Sequence, residues 1–123
     1  MNRCGIFILI WFCLFASKSF ASEYTITCVE NDDRRFTVNY IVNETSKTIF
    51  MKNSFNPQSG QKWEVNKYLD IIEWQKSRII LAKHNFALDE MPAAILFNLK
   101  LKKSFSVGFY ENQAPYVSSR TCF

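Results

Sequence analysis

The sequence predicts an all-β protein, in which one antiparallel meander of about eight strands forms a small barrel or sandwich and a disulfide joins the termini. Three observations predict this class. Apolar and polar residues alternate with a period of two along several segments. Turn-forming residues separate those segments, and a cysteine lies near each end of the mature chain. An apolar content of 48% and an aromatic content of 16% supply enough core-forming material to exclude a disordered chain.

Residues 1–21 have the layout of a secretory signal peptide. Arg3 gives a positive start, an apolar run follows over 5–16, and Ser19 and Ala21 are the small residues before a cut after Ala21. The run is about 12 residues long, whereas a spanning helix needs roughly 20. We therefore predict one β domain over 22–123, periplasmic or secreted, with no membrane span in the mature form.

The charge of the mature chain is close to neutral. The whole chain has 15 basic and 11 acidic residues, and removal of Arg3 and Lys18 leaves 13 basic residues and a formal charge of +2. A nucleic-acid partner normally requires a strongly basic surface. We expect no nucleic-acid partner.

The strand pattern can be followed from one end of the mature chain to the other. The predicted strands are 24–29, 36–42, 48–52, 63–67, 69–74, 78–83, 95–101, 105–109 and 118–122. Part of this stretch, 65–88, also has apolar residues at helical spacing. We favour strands there, because Ile79 and Ile80 are β-branched and no helix cap precedes the run.

The alternation also predicts which side chains face the core. The inward sets are Phe36, Val38, Tyr40 and Val42; then Ile95, Phe97, Leu99 and Leu101; then Phe105, Val107 and Phe109. The residues between them, including Ser104, Ser106 and Gly108, are predicted to face solvent.

Cys28 and Cys122 are the two cysteines of the mature chain. An exported protein meets an oxidising environment, where two cysteines pair, and the sequence contains no Cys-x-x-Cys redox motif. Their bridge would close a loop of about 95 residues, worth on the order of 4 to 5 kcal/mol in the chain-entropy model.

Few residues suggest catalysis. His84 is the only histidine, so we predict neither a metal site nor a cofactor, and no serine lies in a nucleophile elbow. Glu64 and Glu73 lie near Trp63 and Trp74, a pattern compatible with an enzyme acting on envelope glycans. The same residues are equally compatible with exposed charges beside core tryptophans.

Lys100, Lys102 and Lys103 form a basic stripe in sequence. Such a stripe contacts an acidic partner or lies on the solvated side of a sheet, where lysines protect an edge from aggregation.

Two resemblances follow from these residues. An early cysteine (Cys28), an alternating strand, Ile71–Trp74, Phe97–Leu99 and the late Cys122 resemble small exported bacterial β proteins without an assigned function. Tyr24–Cys28, Ser59–Trp63 and Trp74–Ser77 resemble the motifs of periplasmic C-type lysozyme inhibitors, although Trp63 replaces a tyrosine and Ser77 a glycine. The second resemblance implies a small β-barrel in which Ser59 and Lys76 enter the lysozyme cleft.

Taken together, these observations predict an exported, non-catalytic binding protein whose partner is an unknown protein or envelope component. The alternatives are a periplasmic lysozyme inhibitor and an enzyme acting on envelope glycans. The candidate partner-binding residues are Ser59, Trp63, Trp74, Lys76, Lys100, Lys102 and Lys103.

Overall fold

The structure, a computed structural model, describes residues 22–32, 35–84, 94–108 and 116–123. The regular elements in these residues are all strands. They are β1 (Glu23–Glu30), β2 (Thr37–Asn43), β3 (Thr48–Phe55), β4 (Lys62–Tyr68), β5 (Asp70–Trp74), β6 (Ile79–Lys83), β7 (Ala94–Asn98), β8 (Lys103–Gly108) and β9 (Tyr116–Cys122). In the described part of the chain, no helix is long and apolar enough to cross a bilayer.

The strands form one sheet in the order β4-β3-β2-β1-β9-β8-β7-β6-β5. Every neighbouring pair is antiparallel. β4 and β5 are the first and the ninth strand in this order, and because neighbours alternate in direction, these two strands run in the same direction. Only Leu69 separates them along the chain. The chain therefore passes from pairing with β3 to pairing with β6 along one course, and the sheet curls into a nearly closed barrel.

Most of the predicted architecture is confirmed. The chain is an all-β antiparallel meander, the barrel rather than the sandwich is formed, and Cys28 and Cys122 are joined. The segment with helical spacing forms β4, β5 and β6 up to Lys83, because its backbone groups pair with β3 and β7. The predicted signal peptide over 1–21 and the end of the ambiguous segment, 85–88, lie outside the described residues.

Inward-facing apolar side chains form the core of the barrel. Tyr40 of β2 and Phe97 of β7 meet edge to face across the interior, with ring centroids 5.1 Å apart. The buried apolar residues are Ile26, Cys28, Val38, Tyr40, Val42, Ile49, Met51, Leu69, Ile80, Ala82, Ile95, Phe97, Leu99 and Cys122. The predicted inward positions of β2 and β7 are thus occupied as expected, apart from Phe36, which is half-buried.

The predicted faces of β8 are wrong. Ser104 and Ser106 are fully buried, whereas Phe105 is 41% exposed. Leu101, predicted to face inward, is also exposed because β7 ends at Asn98 and Leu101 lies in the following turn. Phe109 lies outside the described residues.

The buried disulfide explains the reversal in β8. Cys122 must face inward to reach Cys28, so Arg120 and Ser118, two and four residues before it in β9, also face inward. Residues directly opposite in a ladder share a face. Ser104 opposes Arg120 and Ser106 opposes Ser118, so the register of β8 turns its serines inward and Phe105 outward.

Candidate functional site

The two ends of the barrel differ in their connections. At the lower end, tight turns join β2 to β3 (44–47), β5 to β6 (75–78) and β7 to β8 (99–102). At the upper end, β1, β6 and β8 end, β2, β7 and β9 begin, and the described connection 56–61 joins β3 to β4. The candidate residues can therefore be placed by the end at which they lie.

Arg78 ties three elements together at the lower end. Its Nε donates to Glu44 Oε1 at 2.6 Å in the β2–β3 turn, and its Nη2 donates to the Tyr24 hydroxyl at 2.9 Å in β1. The hydrogen bonds to Tyr24 and Glu44 raise the pKa of the Arg78 guanidinium. Desolvation by burial is the main reason that the Tyr24 pKa is also raised. These contacts join the β5–β6 turn to the β2–β3 turn and to β1 at the lower end.

Basic residues accumulate at that same end. Lys76, Lys100 and Lys102 lie in its turns, and Lys103 begins β8. The amide of Leu99 donates to the carbonyl oxygen of Arg78 at 3.1 Å, so the turns after β5 and β7 lie side by side. The lysines of the sequence stripe therefore lie at the same end as Lys76.

Ser59 and Trp63 lie at the other end. Ser59 is exposed in the β3–β4 connection, where its hydroxyl accepts a hydrogen bond from the Gln61 amide at 3.2 Å. Trp63 stacks on Phe36 with ring centroids 5.3 Å apart. Trp74 packs partly against the core at the lower end of β5. A partner that bound Ser59 and Lys76 together would have to span the length of β4 and β5.

Glu64 and Glu73 are both exposed, on β4 and β5 respectively. They are nine positions apart along one nearly continuous strand course, an extended length of roughly 30 Å at about 3.3 Å per residue. Glu64 is paired instead with Lys62 at 3.3 Å. Paired carboxylates of glycosidases lie about 5 to 9.5 Å apart, so these two residues do not form such a pair.

An apolar surface covers the outside of β6 to β9. Leu81, Leu96 and Phe105 stand in register on three adjacent strands, and Val107 opposes Val117. The exposed fractions are 38% for Leu96, 41% for Phe105 and 72% for Val117. We call these five residues the outer apolar face.

A polar cluster lies inside the barrel on β1, β8 and β9. Arg120 Nη2 is 3.3 Å from Glu30 Oε1 and Arg120 Nη1 donates to Ser106 Oγ at 2.5 Å, while Ser118 Oγ donates to Glu30 Oε1 at 3.3 Å. All four residues are buried. We call Glu30, Ser104, Ser106, Ser118 and Arg120 the inner polar cluster.

The sequence contains a signal for this cluster that alternation alone does not use. Glu30 follows Cys28 by two residues and Arg120 precedes Cys122 by two. If the bridged cysteines face each other across an antiparallel ladder, then Glu30 and Arg120 must also face each other on the same side. The register shows both pairs directly opposite.

In the described residues, no group of three or more histidine, cysteine, aspartate or glutamate side chains could hold a metal ion. No family model, curated protein or solved structure matches this chain. The resemblance to lysozyme inhibitors therefore rests on the motifs alone.

Proposed function

We propose that this chain is an exported, non-catalytic binding protein that docks onto a partner protein through its outer apolar face. The export half of the proposal is supported by the signal-peptide layout of residues 1–21. The disulfide between Cys28 and Cys122 is consistent with an oxidising compartment.

The observation that carries the docking half is the reversed polarity of β8. Its phenylalanine faces solvent although two serines of the same strand are buried. Leu81, Leu96 and Phe105 are adjacent across three strands, so their exposed surface is continuous. Contiguous apolar patches with polar rims mark interaction sites on soluble proteins.

The surroundings of the face indicate the chemistry of its partner. Lys83 ends β6 beside Ala94, and Lys103 begins β8 opposite Asn98 and Thr121; both lysines are exposed. The complementary surface would have an apolar centre and carboxylates at its edge, because rim charges steer association and fix the register of a complex. Of the basic stripe of Lys100, Lys102 and Lys103, it is then Lys103 that contacts the carboxylates of the partner.

A crosslinking and affinity experiment tests this proposal. A photoreactive phenylalanine analogue placed at position 105 in the exporting cell should crosslink one partner protein, which the same analogue at Tyr68 of β4 does not. With the purified partner, L96S/F105S should bind at least about tenfold more weakly, a loss of about 1.4 kcal/mol. The control variant Y68S/L101S also loses two exposed apolar side chains, but outside the face, and should bind like wild type.

Circular dichroism and an intact disulfide, seen as a mass two daltons below the reduced form, establish that each variant is folded. Equal binding by L96S/F105S and wild type would overturn the proposal. Crosslinks at position 105 that match those at position 68 would do the same.

A further inference from the structure

A second surface, separate from the outer apolar face, lies at the lower end of the barrel. It consists of the three turns over 44–47, 75–78 and 99–102. Arg78 bonds to Glu44, and the Leu99 amide donates to the Arg78 carbonyl oxygen, so these turns lie side by side. We call the three turns the basic end.

The basic end concentrates the positive charge of the mature chain. Its ionisable side chains are Lys47, Lys76, Arg78, Lys100, Lys102 and a single acid, Glu44. Among the described residues, Arg78 is the one of these cations that forms an ion pair, with Glu44. The mature chain has 13 basic and 11 acidic residues, so its other 90 residues hold eight basic and ten acidic side chains. One end is therefore strongly basic on a molecule that is otherwise slightly acidic.

The backbone of these turns holds lysines where glycine would be easier to accommodate. Lys47 and Lys102 both have positive φ, a region that glycine enters without a steric penalty. Residues in such conformations cluster at functional sites. The strain indicates that the charge at this end has a role other than stability.

An exposed leucine lies among the lysines. Leu101 is 62% exposed, and its amide donates to Asn98 Oδ1 at 3.1 Å, which holds the turn in shape. The Cys122 amide donates to the Lys102 carbonyl oxygen at 2.8 Å, so Phe123, which is 75% exposed, follows beside this turn. Apolar side chains surrounded by lysines fit the boundary between lipid head groups and acyl chains.

The start of the mature chain lies at the same end. The Ser22 carbonyl oxygen accepts a hydrogen bond from the Glu44 amide at 3.0 Å, and β1 begins with Glu23. In the sequence, six residues, 17–22, separate β1 from the apolar run of the predicted signal peptide, a reach of at most about 22 Å. Before cleavage, the domain would therefore be tethered to the membrane by its basic end.

We propose that the basic end binds the surface of an anionic lipid bilayer. Leu101 enters the head-group layer, while the ammonium groups of Lys76, Lys100 and Lys102 meet the lipid phosphates. The tip of a hairpin can enter a fluid layer of head groups, whereas a folded acidic protein would need a pocket shaped to receive it. The outer apolar face lies on the wall of the barrel, so this proposal does not depend on the protein partner proposed above.

Sedimentation with lipid vesicles tests the proposal on the disulfide-bonded mature chain. The vesicles contain phosphatidylcholine with or without phosphatidylglycerol. Phosphatidylglycerol should strengthen binding at least about tenfold, because each lysine near an anionic surface contributes about fivefold. Binding should be lost at about 1 M salt, where the screening length is about 3 Å.

Charge-matched variants locate the contact. K100Q/K102Q should bind the anionic vesicles about 25-fold more weakly, as expected for two lysines at the surface. The control K52Q/K62Q loses the same charge from exposed positions on β3 and β4 and should bind like wild type.

Apolar variants test the insertion of the turn. Leu101→Ser should weaken binding about three- to tenfold, because the side chain is partly buried in the lipid. Val117→Ser removes an apolar side chain that is 72% exposed on the outer apolar face and should have no effect. Circular dichroism and an intact disulfide establish that each variant is folded.

Four results would overturn the proposal. The first two are equal binding to both kinds of vesicle and equal binding by K100Q/K102Q and K52Q/K62Q. The third is loss of binding in L96S/F105S but not in Leu101→Ser, because the membrane would then contact the outer apolar face. The fourth is binding to soluble polyglutamate without binding to the anionic vesicles, which would indicate an acidic protein partner.

Discussion

Tyr40 is a single core side chain whose burial makes the stability of the folded protein depend on pH. It is fully buried, and this desolvation raises its pKa, an effect that the nearby charge of Arg120 partly offsets. In the unfolded chain the phenol ionises near pH 10. Below that pH both states keep the proton. Above it the unfolded chain releases the proton while the folded chain retains it, so the folded protein loses stability as the pH rises through the folded-state pKa.

We therefore predict that the free energy of unfolding falls between pH 9.5 and 11, and that Tyr40→Phe makes this fall shallower. Some pH dependence should remain, because burial also raises the pKa of Tyr24. Urea titrations of both proteins across this range, followed by circular dichroism, measure the two slopes. An unchanged slope in Tyr40→Phe would mean that its phenol is not desolvated in the folded state.

At the scale of the element, the lower hairpins share an unusual backbone feature. Lys47, Arg78 and Lys102 each end a turn with positive φ, at 55°, 65° and 56°. Glycine normally occupies this left-handed region, because other residues meet a steric penalty there. Basic side chains are thus held at the lower end at some cost in stability.

We predict opposite effects of glycine at two positions of the β7–β8 turn. Lys102→Gly should raise the free energy of unfolding by about 0.5 to 1 kcal/mol, because it relieves the strained φ. Lys100→Gly should lower it by a similar amount, because that residue has no positive φ and glycine only adds freedom to the unfolded chain. Both variants lose one lysine, so charge is matched. Changes of the same sign in urea denaturation would contradict the assignment.

The elements were predictable from the sequence to different degrees. Alternation located the strands because half-buried antiparallel strands carry a period of two. Alternation does not say which face is inward, and in β8 the larger side chains misled the assignment: Phe105 faces out because the ladder sets its orientation. The inner pair of Glu30 and Arg120 escaped prediction because a charged residue is expected at the surface. β4 and β5 follow one another along a single course, with β4 paired to β3 and β5 paired to β6. This arrangement depends on closure of the whole barrel, so no local sequence pattern predicts it.

At the scale of the whole molecule, the disulfide joins β1 to β9 across 94 positions. Both cysteines are buried, and their strands share only a short ladder, from Cys28 to Glu30. Among the junctions between described strands, the β1–β9 ladder has the fewest register pairs, with three against four for β5 with β6. The covalent bond therefore reinforces a short seam.

We predict that Cys28→Ala/Cys122→Ala lowers the free energy of unfolding by about 2 to 5 kcal/mol, because the bridge restricts the unfolded chain. Urea denaturation of the oxidised wild type and the double variant measures the difference. The wild type in the presence of a thiol reductant serves as a comparison with unchanged side chains. A double variant as stable as the oxidised wild type would show that the β1–β9 ladder needs no reinforcement.

The neighbourhood of β1 and β9 also has a consequence for timing. Synthesis proceeds from β1 to β9, so β1 is made first but its second neighbour is made last. Until β9 is present, one edge of β1 has no ladder, and an open strand edge is a template for pairing with other chains. Contacts between residues so distant in sequence also form slowly. Formation of the Cys28–Cys122 disulfide can thus report when the barrel is complete, because the native bond requires the first and the last strand to be adjacent.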